Sequence, residues 1–352
     1  MQIDKLNQQA DPPVWQVSNS TGRIELQKPK CRISIIIPVY SPVRIIKKCL
    51  ESISKQTINP IEVVLVNNGQ APIDTDDMPK NVCVKILQLP CNVGFGPAVN
   101  YGIRQSCGNL ILVLNDDTEL HRDCIRFVLQ SANEHPGYGS YALKVYKSHR
   151  SQEIDSAGLM FSDRGYGNRS NAPQYIAVSK PTEVFSACGA AAVYKREAVR
   201  EVGCFNDSFF FLFEDLELGF RLQLSGYKCL FLPDALVYHH GGFSSKDLFG
   251  MKVREGIKNA IMTLLMCMPS TLLKENWGKI LKFYGRLIFT IAREGYGKDL
   301  LIGLTRLSLS LGYCLRVRAD IQKRATADIA YLKSILYRGP ICVNLPEKRC
   351  VL

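Results

Sequence analysis

The chain has 352 residues, 46% of them hydrophobic, which gives room for one large core with an appendage and excludes wholesale disorder. Of its net charge of +12, residues 245–352 carry nearly all, with 19 Lys and Arg against 8 Asp and Glu. That asymmetry points to an anionic membrane surface or a nucleic acid, and residues 245–352 hold no nucleic-acid recognition motif, so no nucleic-acid partner is expected.

Residues 1–30 form a polar extension without the basic start or apolar stretch of an export signal, which predicts a cytoplasmic protein. RISIIIPVY (32–40) reads as a buried strand, and the following VRIIKKCLESISKQT has helical spacing at Ile45, Ile46, Cys49, Leu50 and Ile53. IEVVLVNNG (61–69) and VKILQLP (84–90) are further strands, and NVGFGPAVNYGIRQS (92–106) is a Gly-rich turn entering a helix. NLILVLNDDTEL (109–120) is a fourth strand that breaks into acidic residues. This alternation predicts a mostly parallel α/β sheet with helices on both faces and a ligand site beyond the strand ends. Tyr40, Asn67, Asn92, Asn115, Asp116 and Asp117 collect at those ends.

Residues 139–200 are less regular; 209–228 join an aromatic run to a helix holding Leu216, Phe220 and Leu224; KCLFLPDALVYHH (228–240) reads as a strand pair. Beyond about residue 245 the pattern is helical alone, with a stripe at Leu300, Leu304, Leu307, Leu311 and Leu315. No run of about 18 uncharged apolar residues occurs, so no spanning helix is expected. The thirteen cysteines include no C-x-x-C pair and read as free thiols of a reducing compartment.

Asn115-Asp116-Asp117 offers either a divalent-cation site for a diphosphate or, with Thr118, a cap for a following helix. Glu214-Asp215 after Phe209–Phe213 offers either a base whose pKa is raised by apolar neighbours or acidic residues favouring a helix N-terminus. The glycines of Asn92-Val-Gly-Phe-Gly let backbone approach a ligand, but no dinucleotide fingerprint is completed. His239-His240 ends a strand, as a surface pair or a metal ligand.

The ordered series IIIPVY, VNNG, NVGFGPAVNYGI, LNDDTEL, SACGAAAVYKREAVREVGCFNDSFF, FEDLELGFRL and HH, spanning residues 32–242, resembles the family 2 glycosyltransferases, most closely a bacterial rhamnosyltransferase-like branch. The resemblance implies a GT-A, Rossmann-like nucleotide-diphospho-sugar transferase domain over 31–245, followed by a basic helical region over 246–352. It implies an inverting transfer from a nucleotide-sugar donor, with dTDP-rhamnose suggested by the branch. Pro38, Tyr40 and Asn67 would surround the base, Asn92 and Gly94 would lie nearby, and Asn115 to Asp117 would be the D-x-D equivalent. Asp117 would ligate Mg²⁺ or Mn²⁺, His239 would complete the metal site, and Arg221 would approach the diphosphate. Asp215 would deprotonate the acceptor, with Glu214 and Glu217 as alternatives. Asn67 and Asn115 stand where relatives often carry Asp, which leaves the nucleotide (dTDP, UDP or GDP) open along with sugar and linkage. The branch further implies a lipid-linked oligosaccharide acceptor and a peripheral position on the inner membrane face, with residues 250–340 docked on anionic lipid. The alternative for these helices is packing against the catalytic domain or a second subunit in a homo-oligomer. A pyrophosphorylase would need a Gly-rich loop where PVYSPVR stands, and an inactive sugar-nucleotide-binding scaffold would not need Asp117 together with Asp215.

Overall fold

The first apolar run forms strand β1 (Ile33–Val39), buried along its whole length. Alternation sends Ile33, Ile35 and Ile37 to one side, onto Cys49, Leu50 and Ile53 of helix α1 (Val43–Ser54). Ile36 points to the other side, onto Ala98, Val99 and Ile103 of helix α2 (Phe95–Arg104). A Cβ on Gly102 would lie 2.4 Å from the Ile36 side chain, so glycine there lets α2 seat directly on the sheet. The computed structural model describes residues 17–18, 24–25, 32–40, 43–58, 61–69, 73, 79, 82–149, 151, 153–169, 178–241, 249–344 and 349–351. The expected polar extension therefore lies outside the described residues, apart from a two-residue ladder between Val17–Ser18 and Ile24–Glu25.

β1 pairs in parallel with β2 (Glu62–Asn68) on one side and β4 (Leu110–Leu114) on the other, and β2 pairs in parallel with β3 (Cys83–Leu89). Beyond the short β5 (Thr118–Leu120) and helix α3 (Cys124–Glu134) come β6 (Tyr138–Tyr146), β7 (Ile154–Ser156), and the hairpin β8 (Leu159–Phe161) and β9 (Gly167–Arg169). β10 (Thr182–Val184) and β11 (Ala191–Lys195) follow, then helices α4 (Arg196–Val202) and α5 (Glu214–Leu224), then β12 (Lys228–His239). The sheet runs β10-β12-β6-β11-β4-β1-β2-β3, and every strand on this path except β10 and β11 points the same way. The sheet is thus mostly parallel, and the ends of β1, β2 and β4 open on one edge.

Three local expectations change. Thr118–Leu120 is a strand and the helix begins only at Cys124, because pairing with Val237–His239 satisfies the backbone that a capped helix would otherwise use. The strand pair expected over 228–240 is one strand with a register shift between Leu232 and Leu236, where Pro233 lacks a ladder donor. The C-terminal region is not helices alone: after α6 (Phe249–Cys267), α7 (Ser270–Ile291), α8 (Gly297–Arg324) and α9 (Ile329–Ile335), residues Cys342–Asn344 and Arg349–Val351 form an antiparallel pair.

Helix α5 lies between the sheet and these helices. Leu218 and Leu222 pack with Ile36, Val113 and Phe231, whereas Leu216, Phe220 and Leu224 pack with Val253, Ile257 and Leu300 of the C-terminal region. The α8 stripe divides: Leu300 and Leu307 are buried, while Leu311 and Leu315 face out. Ser270–Arg324 contains a window of mean hydropathy 1.4, only 22% buried, and by length and composition is the one helical run among the described residues apolar enough to cross a membrane. The expectation of no such helix counted only uncharged runs; this window tolerates a charge or two, and the helix is kinked at Gly295 (φ 89°). The eleven cysteines from Cys49 to Cys342 are free.

Inside the molecule, Arg221 donates to both Glu217 carboxylate oxygens (2.9 and 2.8 Å) and to the carbonyls of Val202 and Cys204, fastening α5 to the loop after α4. Arg221→Ala would strand the fully buried Glu217 and is expected to cost about 3–5 kcal/mol in urea denaturation, with Arg221→Met/Glu217→Leu recovering most of it. A loss below about 1 kcal/mol for the single variant would show that the pair does not hold the helix.

Candidate active site

The open sheet edge gathers the polar residues expected there. Asp116 is buried and accepts the Tyr40 N–H at 2.8 Å, joining the ends of β4 and β1, while the Tyr40 ring stays exposed. Pro38 lies buried in β1 opposite Val66. Asn67 is fully buried and donates to Gln88 at 2.8 Å, so its amide is engaged within the sheet. The neighbour that sequence reasoning misses is Asn68. It donates to Asn92 Oδ1 (3.0 Å) and the Gly94 carbonyl (3.1 Å), and accepts the Val93 N–H (3.0 Å). Asn92 in turn accepts the Gly94 N–H at 2.9 Å. The doubled Asn at a strand end is the signal that could have found it. Gly94 has φ 95°, and a Cβ there would sit 2.5 Å from the Phe210 carbonyl oxygen, which accepts the Phe95 N–H at 2.8 Å. The glycine loop is thereby locked to the aromatic run.

Beyond β4, the Asn115 N–H donates to the Ala190 carbonyl (3.0 Å), and its own carbonyl accepts the Thr118 hydroxyl (2.6 Å). The β5–β12 pairing brings Asp117 to His239, with Oδ1 3.2 Å from Nε2. The other ring nitrogen of His239 lies 2.8 Å from Asp155 Oδ2, and Asp155 also pairs with Arg169. Burial lowers the imidazole's affinity for a proton, but its hydrogen bonds to Asp117 and Asp155 outweigh that and bring its pKa up to about 9. Asp155 and Arg169 have no local sequence signal; they sit in the irregular stretch and reach the site only through the fold.

Helix α5 begins at Glu214, as the helix-start reading had it, after Leu212 and Phe213, which both hold left-handed backbone (φ 68° and 71°). For residues with bulky side chains this costs free energy and persists where surrounding contacts enforce it. Here the fully buried Asn259 of α6 donates to the carbonyls of Phe211 and Leu212 at 2.9 and 2.8 Å. The turn aims Asp215 into a cavity of about 730 Å³, where Asn115, Lys147, Asp155, Arg169 and Lys252 also lie. Its remaining walls are largely apolar, including Tyr166, Phe213 and Phe249. Asp215 accepts the Gly189 N–H (2.7 Å) and the Leu216 N–H (2.8 Å). Burial raises its pKa, against which those two N–H groups and the Arg169 charge pull down. Glu214 is pushed up to about 8, by burial first and the Asp215 charge second. Both adjacent carboxyls are thus raised by burial, and of the two only Asp215 has backbone N–H groups that oppose the rise. Glu217 and Arg221 do not reach this cavity: their ion pair turns toward Val202 and Cys204, and they line a separate depression with Tyr313. Arg221 is thus not brought to a diphosphate beside Asp117, nor Glu217 to the Asp215 cavity; the helical i, i+4 spacing pairs them with each other instead.

Residues 34–203 match the family described as Glycosyl transferase family 2. The chain is 27% identical over 242 residues to an N-acetylglucosaminyl-diphospho-decaprenol L-rhamnosyltransferase of Mycobacterium tuberculosis, covering 60% of this chain and 77% of that protein. It is 25% identical over 230 residues to the O-antigen biosynthesis protein RfbC of Myxococcus xanthus, covering 61% of this chain and only 18% of that one. It likewise spans 24% of an uncharacterised Sinorhizobium fredii protein to which it is 26% identical over 222 residues, or 59% of this chain. Among solved structures, GalNAc-T7 with UDP, GalNAc and Mn²⁺ superposes with a TM-score of 0.52 at 16% identity, over 66% of this chain and 48% of that one. The fold is GT-A.

Glu214 has no hydrogen-bond partner for Oε2 among the described residues, and its proton is held more tightly folded than unfolded. Folding stability must then fall as pH rises from the ordinary 4.5 to about 8. Glu214→Gln keeps the neutral form, so it should match wild type near pH 4.5 and exceed it by a few kcal/mol above pH 8 in denaturant titrations. Parallel pH profiles for the two proteins would refute the assignment.

Proposed function

We propose, from the premise that this chain carries a family 2 glycosyltransferase domain, that it moves a sugar from a nucleotide diphosphate to a hydroxyl of a lipid-linked acceptor in cell-surface glycan synthesis, inverting the anomeric centre. The observation that carries this reading is Asp215 on the wall of a cavity that is also lined by Lys147, Arg169 and Lys252 and by apolar side chains. Asp215 takes the acceptor proton as its hydroxyl attacks, while Arg169, Lys147 and Lys252 supply positive charge to phosphate groups in the same cavity. Pro38 and Tyr40 face the nucleotide base, with Asn67 and Asn68 fixing the strand end, Asn92 and Gly94 shaping the loop, and Asn115 to Asp117 turning toward the diphosphate. Asp117 and His239 fit a divalent cation: a carboxylate and an imidazole stand 3.2 Å apart, and the far ring nitrogen is oriented by Asp155, as metal-binding histidines commonly are. Mg²⁺ or Mn²⁺ held there would neutralise charge on the departing diphosphate. The name of the Mycobacterium tuberculosis relative favours a rhamnosyl donor such as dTDP-rhamnose and a diphospholipid acceptor.

The C-terminal helices support docking on the inner face of an anionic membrane. Their inner sides pack on the catalytic core, but Trp277, Leu281 and Phe289 on α7 and Leu301, Leu309 and Leu315 on α8 are all more than 60% exposed. Lys274, Lys282, Arg286, Arg293, Lys298 and Arg316 stand among them in a region whose charge excess matches anionic headgroups.

Thermal unfolding with UDP, dTDP and GDP, each with and without Mn²⁺, tests the donor site; one nucleotide at 100 times its dissociation constant should add about 2.7 kcal/mol. Asp117→Ala should lose that shift. Asp215→Asn should keep it while transfer falls by about 10²–10⁴-fold. Full transfer by Asp215→Asn removes the base, and no shift with any nucleotide favours an inactive scaffold. In flotation with phosphatidylglycerol vesicles the full chain should float at low salt and release as salt is raised. Trp277→Glu/Leu281→Glu/Leu309→Glu should sediment, and a wild type unbound at low salt would end the docking reading.

A further inference from the structure

Outside the cavity, a further group of side chains of metal-ligating type stands beside the pairing that positions Asp117. Glu119 lies on β5, His149 in the turn after β6, and His240 one residue beyond β12. These are three stretches far apart in sequence. Their ligand atoms converge: Glu119 Oε2 is 2.9 Å from His149 Nε2, Glu119 Oε1 is 2.5 Å from His240 Nε2, and all three groups offer atoms within 4.8 Å of one another. Ligands bound at about 2.0–2.2 Å around a tetrahedral ion are separated by roughly 3.4 Å, so only small rotations would close such a shell. The His149 ring is stacked on Tyr238 at 3.8 Å between centroids, and Tyr238 stacks on Tyr146, which restricts the imidazole before any ion arrives.

We propose that Glu119, His149 and His240 form a second divalent-metal site, suited to an imidazole-binding ion such as Zn²⁺ or Co²⁺. Two imidazoles and one carboxylate make a donor set that favours these ions over Mg²⁺, whose preference is for oxygen. Three protein ligands leave a fourth position, and all three side chains are solvent-accessible (47% for His149, 33% for His240, 20% for Glu119), so water can complete the shell. The site shares no side chain with Asp117 and His239. The two are joined through backbone, where the His240 N–H donates to the Asp117 carbonyl at 3.0 Å. A bound ion would tie the turn at His149 and the end of β12 to the acidic segment after β4, fixing the frame from which Asp117 projects.

The test is calorimetric titration of the metal-free full chain with Co²⁺ and Zn²⁺, comparing wild type with His149→Ala, Glu119→Gln, Asp117→Ala and Asp117→Ala/His149→Ala. Metal bound by thiols is common to all of them and cancels in the comparison. Wild type should bind one more equivalent than His149→Ala and Glu119→Gln, in which its affinity drops by roughly 100-fold or more, and Asp117→Ala, lacking only its own site, should bind one more than Asp117→Ala/His149→Ala. Unfolding midpoints of the variants without metal confirm that each is folded. Equal binding by wild type and His149→Ala overturns the site. Equal binding by Asp117→Ala and Asp117→Ala/His149→Ala also overturns it, because the ion then belongs to Asp117 and His239.

Discussion

A helix with no free side fixes the rest of the candidate site. Residues 214–224 are pressed between the sheet and the C-terminal helices, so Glu214 at their N-terminus is buried while Asp215 beside it lines the cavity. Burial raises both carboxyls, Glu214 without a partner for Oε2 and Asp215 against the pull of two backbone N–H groups. Apolar packing and acid–base character are here a single design problem.

The other half of the centre follows from the order of strands. Because the strand ending at Leu114 sits beside the one ending at Val39, Asp116 can bond the Tyr40 backbone, and the next residue is delivered to His239 by the short antiparallel pairing. His239 then bridges Asp117 to Asp155, and Asp155 carries the connection on to Arg169 and the cavity that Asp215 lines. A polar relay of four side chains thus links the sheet edge to the buried helix. Each link comes from a different element, which makes the arrangement sensitive to the packing of the whole domain.

Much of this was legible in the chain. Continuous β-branched runs such as Ile33–Val39 read as buried strands because both faces are covered, and Asn or Asp at their ends marked the open edge. What escaped were features settled by pairing between distant segments. Thr118–Leu120 looks like the start of a helix until Val237–His239 supplies a partner strand. Glu217 and Arg221 look available on a helix near the site, yet local i, i+4 geometry and the carbonyls of Val202 and Cys204 consume them. Asp155, Arg169 and Asn259 carry no motif at all. The leucine stripe of 300–315 shows the opposite failure, since a regular period cannot say where the protein ends and the covered face becomes an open one.

The contact made by Asn259 has a bearing on how such chains could be recombined. Charge and hydropathy draw a seam near residue 245, where an engineer would be tempted to cut and exchange C-terminal halves among relatives. The amide of Asn259 crosses that seam to hold the twisted backbone at Phe211 and Leu212, two residues before the helix that presents Asp215. A chimera joined at the seam inherits the turn that presents Asp215 from one parent and the clasp on that turn from the other. The unit of exchange is therefore the turn with its clasp, and the compositional border is the wrong place to splice.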